Sequence, residues 1–146
     1  MGARTNAREA ALQMLYAYEV TKEPIETVIR DFWRELPGDA EERTYADALV
    51  RGVSEELKQL DELIRVSSRN WRIERMTRID RNVIRLAAWE IEYGGTVPFP
   101  VVLNEAVELA KRYGTEEGAS FVNGVLASIA GQRQARSTDE KARTES

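Results

Sequence analysis

Apolar residues recur along nearly the whole chain at the three-and-four spacing of an α-helix, and no segment alternates for long enough to make a strand. That periodicity predicts an all-α protein: a compact bundle of about seven helical segments around one core. The first helix is predicted over 6–20, where Asn6 and Glu9 have capping-box spacing and Ala7, Ala10, Ala11, Met14, Leu15 and Tyr18 form the inward stripe. Pro24 suits the first turn of a second helix, with Ile25, Val28, Ile29, Phe32, Trp33 and Leu36 as its apolar face. One long helix is expected over 42–67, tolerating Gly52 within it. The run Ser67-Ser68-Arg69-Asn70 breaks that pattern, and Trp71, Ile73 and Met76 read as a short helical turn. Asp80 is placed to cap or open a helix reaching Tyr93. A proline-containing loop over 94–100 leads to a helix that stops at Gly114. Thr115 is a good N-cap for the last one, with Phe121, Val122, Val125, Leu126 and Ile129 on its core face. From Gln132 onward the only apolar residues are two alanines, so 1–132 is read as the folded domain and 133–146 as a disordered tail.

The chain has no histidine and no cysteine. The commonest general base, the commonest metal ligands and every thiol nucleophile are therefore missing. The acidic pairs, such as Glu41/Glu42 and Glu116/Glu117, are sequence neighbours, which point about 100° apart on a helix and do not converge on a ligand. No cofactor and no metal is expected, and the chain reads as a binding protein rather than an enzyme. No apolar run approaches the ~18 residues of a membrane span, and the lack of cysteine fits the cytoplasm.

Charge is unevenly distributed. Residues 65–85 carry seven arginines against Glu74 and Asp80, a net of +5 in a chain whose total is −4. Arginine suits planar, bidentate contact with phosphate or carboxylate, so the stretch is either a nucleic-acid footprint or a helix face tied to acids elsewhere. Arg4 and Arg8 open the chain one helical turn apart, with no acid before Glu9.

Three segments carry a family resemblance. The opening ARTNAREAALQMLYAYE, the stretch IDRNVIRLAAWEIEY, and the pairing of NEAVELAK with FVNGVL together resemble the NusB family of transcription antitermination factors over about residues 3–131. The resemblance implies two small helical subdomains. It also implies binding of the single-stranded boxA element of ribosomal RNA transcripts, together with NusE, a small-subunit ribosomal protein. The pair would join an RNA polymerase antitermination complex, and some family members also form homodimers. A self-associating helical regulator that binds protein alone is the other reading, and the acidic pI of about 5.1 suits it.

On that basis Arg4 and Arg8 are expected to contact phosphate, Gln13 to reach a base edge, Arg72, Arg75 and Arg78 to extend the RNA path, and Phe121 to stack on a base or enter the core. Tyr16, Asp80 and Val83 are assigned to the NusE contact, Tyr16 because it falls off the stripe of its helix. Arg81 and Arg85 are expected to be structural, with Glu90 or Glu105 as the carboxylate partner of Arg81.

Overall fold

The computed structural model describes residues 2–69 and 71–145; Met1, Asn70 and Ser146 lie outside them. Seven α-helices follow one another among the described residues, with no strand: α1 (Ala3–Thr21), α2 (Ile25–Glu35), α3 (Ala40–Glu55), α4 (Leu57–Ser67), α5 (Arg78–Trp89), α6 (Phe99–Tyr113) and α7 (Glu116–Glu145). A 3-10 turn, Ile73–Arg75, precedes α5, and a π-helical turn, Glu90–Gly94, follows it. α1 packs along α3 and α2, α6 packs along α7, and α5 runs between the two groups, touching α1, α3, α4, α6 and α7. The inward residues of α5 explain its position. Val83, Ile84, Leu86, Ala87 and Ala88 are all buried, which wraps apolar surface around most of the helix.

Local chemistry sets the helix ends. The Asp39 side chain accepts from the Glu42 N–H at 2.9 Å and starts α3. Thr77, rather than Asp80, caps α5: its hydroxyl accepts from the Asp80 N–H at 3.1 Å. Thr115 caps α7 as expected, accepting from the Gly118 N–H at 2.9 Å. α1 starts three residues earlier than the capping-box spacing suggests, because Asn6 donates at 3.1 Å to Glu42 of α3 instead of capping its own helix.

Two larger departures have physical causes. The single helix expected over 42–67 is broken at Glu56, whose φ of −104° and ψ of 19° turn α4 away from α3. No proline or glycine sits at the break, so tertiary packing decides it. α3 lies close to α5: a Cβ on Gly52 would fall 2.2 Å from the Trp89 ring, so only glycine fits there. Where disorder is expected over 133–146, α7 carries on through Glu145. This segment adds nothing to the core, and its residues 133–144 are exposed. It is rich in good helix formers, and Arg133 and Arg136 reach back to Glu92, the latter at 2.6 Å.

Candidate RNA and partner surfaces

The two arginines of α1 have opposite surroundings. Arg4 is exposed, its guanidinium lying 4.8 Å over the Tyr45 ring. Arg8 is only 5% exposed. Its Nε and Nη2 donate to the two carboxylate oxygens of Glu90 at 2.9 and 3.0 Å, and Glu105 lies 3.7 Å away. The Tyr45 hydroxyl donates to Glu90 at 3.0 Å, and the Thr5 hydroxyl donates to Glu105 at 2.7 Å. A guanidinium buried this deeply needs a carboxylate, and a bidentate one meets its fork geometry. Burial pulls the Arg8 pKa down, but the bond and charge of Glu90 outweigh it and hold the pKa above its ordinary value. Arg8 is therefore corrected from a phosphate contact to the tie between α1 and the end of α5. The same geometry corrects the acid expected for Arg81, since Glu90 and Glu105 are occupied by Arg8.

The arginine-rich stretch divides in two. Arg78, Arg81 and Arg85 converge on Glu19 of α1 at 2.9, 3.1 and 2.6 Å. Arg81 also donates to the Ile73 and Met76 carbonyls, and Arg85 makes a bidentate pair with Asp61 at 2.7 and 2.8 Å. Burial pushes the Glu19 pKa up, yet Arg81 and Arg85 outweigh this and hold it below the usual carboxylate range. The structural role expected for Arg81 and Arg85 agrees with this geometry, with Glu19 as the acid. Arg69, Arg72 and Arg75 are exposed and make no ion pair among the described residues. With Arg65, Trp71, Ile73 and the acid Glu74 they line an open groove of about 540 Å³.

Behind Trp71, Phe121 of α7 is half-buried, and its ring meets that of Trp71 edge to face, with centroids 6.4 Å apart and planes 63° apart. Trp71 itself is 49% exposed. Sequence reasoning used Trp71 only as part of a helical turn. The available signal was a large aromatic set among arginines and off any apolar stripe.

The residues assigned to the protein partner separate as well. Tyr16 is 48% exposed, with the Arg78 guanidinium 5.4 Å over its ring, and Val20, one turn on, is 53% exposed. Gln13 is exposed on the same side of α1. Val83 is 1% exposed and belongs to the core, so it offers no surface to a partner; its place one turn inside amphipathic α5 accounts for that. Asp80 is 7% exposed and is likewise corrected from a surface contact. Its carboxylate points at the start of α7, where a Cβ on Gly118 would fall 2.6 Å from Oδ2, and its Oδ1 has no hydrogen-bond partner among the described residues. Burial raises the Asp80 pKa, with Thr77 working against the shift.

Comparison with known proteins completes the picture. A model described as "NusB family" matches residues 5–131. The chain belongs to the NusB family. The transcription antitermination protein NusB of Sorangium cellulosum is 59% identical over 130 residues, covering 89% of this chain and 93% of that protein. The protein of the same name from Anaeromyxobacter dehalogenans is 47% identical over 128 residues, covering 87% and 89%. Among solved structures, T. maritima NusB superimposes with a TM-score of 0.81 at 36% identity, covering 88% of this chain and 90% of that one. A chain from the complex of antitermination factors NusB and NusE with double-stranded RNA superimposes at 0.83 with 26% identity, covering 90% and 98%. The all-helical architecture expected from the sequence is thus a NusB architecture. Among the described residues no helix is long and apolar enough to cross a membrane, and no three metal-binding side chains cluster.

Proposed function

We propose that this chain is a transcription antitermination factor that binds boxA-type single-stranded RNA of ribosomal RNA transcripts together with NusE and joins the RNA polymerase antitermination complex. The observation that carries the reading is the family match over residues 5–131, joined to 59% identity with a transcription antitermination protein. The likeness to a chain of a NusB–NusE–RNA complex supports both partners. The chain acts by binding and brings no catalytic chemistry of its own, and it works in the cytoplasm, where its template is transcribed.

The geometry favours a division of the surface. Exposed Arg4 and Gln13 on α1, Arg72 and Arg75 at the groove, and half-buried Phe121 beside Trp71 offer cations, an amide and a ring to RNA. Tyr16 with Val20 offers NusE an apolar anchor beside a hydroxyl. The test is titration of a labelled boxA oligonucleotide, its scrambled counterpart and a double-stranded form, each with and without NusE. Tighter binding of the single-stranded boxA sequence, strengthened by NusE, is expected. Equal binding of scrambled RNA and no effect of NusE would overturn the reading and favour a regulator that binds protein alone.

A further inference from the structure

We propose that Trp71 is a base-stacking platform for single-stranded RNA, with Phe121 supporting it from α7 and Arg69, Arg72 and Arg75 taking the phosphates on either side of the stacked base. The inference rests on the RNA-binding reading above and deepens it by placing one nucleotide.

The ring is exposed but held. Trp71 is 49% exposed, whereas Ile73 and Met76 on the same turn go into or against the core. Its backbone is fixed by a closed turn: the Trp71 N–H donates to the Ser68 carbonyl at 3.2 Å, and the Ser68 hydroxyl donates to the Trp71 carbonyl at 2.9 Å. Beside the edge-to-face contact with Phe121, about half of the Trp71 surface stays exposed to a planar ligand. Phe121 is itself anchored, since it packs against the core between buried Ala119 and Val122. An exposed ring on a hydrogen-bonded turn, with a neighbouring ring against it, is pre-organised for stacking, with little ordering left to do on binding.

The charge around the ring selects the ligand. Arg69, Arg72 and Arg75 have no carboxylate partner among the described residues, in contrast to Arg65, which Glu62 occupies. Arg69 adopts a φ of 53°, a left-handed conformation that glycine or asparagine would hold with less strain. A protein-binding patch concentrates apolar area at its centre and is depleted of charge there. Here one indole stands among three guanidiniums that pair with no acid among the described residues, and they outnumber Glu74, the carboxylate on the same groove. That arrangement matches a base, which needs a π-face, and its flanking phosphates, which need cations.

The experiment measures binding of a short boxA oligonucleotide, intact and with single abasic substitutions, to the full chain and to Trp71→Ala, Trp71→Leu and Trp71→Phe, each with a thermal melt. Trp71→Ala and Trp71→Leu should weaken binding by ~5- to ~100-fold, the range for one stacked base, and Trp71→Phe should recover most of the loss. One abasic position should cost wild type affinity yet cost Trp71→Ala almost nothing, because the stacking contact is already gone. Trp71→Leu keeps an apolar filler, so it reports on stacking even where the alanine variant melts early. If wild type binds the intact RNA and both Ala and Leu variants match it, the platform is wrong while the functional reading stands. If wild type itself shows no preference for boxA, the functional reading fails first. Loss of NusE binding with RNA binding untouched would make Trp71 a protein contact and overturn the proposal.

Discussion

Two sets of arginines in this chain share a side chain and almost nothing else. Arg8, Arg81 and Arg85 are folded inward onto Glu90, Glu19 and Asp61 and tie α1 to α4 and α5. Arg69, Arg72 and Arg75 stand in the open around Trp71 and pair with no acid among the described residues. The inner set is tied to carboxylates, and losing Arg8 strands the buried acid Glu90, whereas Glu19 and Asp61 stay partly solvated. The outer set is solvated, adds little to stability, and keeps its charge available to a polyanion. The difference teaches that a basic stretch is not one functional unit. Burial and the position of the nearest carboxylate decide which cations are structural.

The largest expected effect lies at the inner set. Arg8→Ala leaves Glu90 buried and unpaired and should cost about 3–5 kcal/mol in urea denaturation, enough to unfold a marginal domain. A cost under about 1 kcal/mol would mean that water reaches Glu90 and that the burial contrast is weaker than drawn. Arg85→Ala comes next, at about 2–3 kcal/mol, because it removes charged hydrogen bonds to Asp61 and Glu19, both of which are partly solvated.

Asp80 sharpens the contrast from the acidic side, as a buried carboxylate with no arginine partner among the described residues. Burial raises its folded-state pKa above the unfolded value, so the folded chain keeps this proton to a higher pH than the unfolded chain does. Ionised Asp80 therefore costs stability at neutral pH, and the cost is relieved as pH falls through the raised pKa. Asp80→Asn should stabilise the fold by about 1 kcal/mol at pH 7, with the gain shrinking in melts at progressively lower pH. A pH-independent loss of stability would show instead that the charge is favourable at the start of α7.

The fold was largely legible in the sequence because helical periodicity and punctuation are local signals. Pro24, Gly114 and Thr115 mark helix ends without reference to anything distant. The break at Glu56 was not legible, since neither Glu56 nor its neighbours disfavour helix and the turn is imposed by α4 packing on α5 and α7. Partnerships were the hardest to read. Arg8 and Glu90 are 82 residues apart, and nothing in their local sequences distinguishes Arg8 from exposed Arg4. Asp80 and Val83 sit on a helix buried on most of its circumference, which a single apolar stripe does not reveal. The exposure of Tyr16 and of Arg72 and Arg75 was foreseeable, because each falls outside the apolar stripe of its segment.

The smallest stability effect carries the most direct functional test. Replacing Arg69, Arg72 and Arg75 together by alanine should change stability by no more than about 0.5 kcal/mol per site. The decisive measurement is the salt dependence of boxA RNA binding by wild type and by this triple variant. If each arginine pairs with one phosphate, the slope of log K against log salt should become shallower by about 2, with weaker binding at low salt and an unchanged melting temperature. An unchanged slope and affinity in a folded triple variant would contradict the division, and would place the RNA on cations other than those of the Trp71 groove.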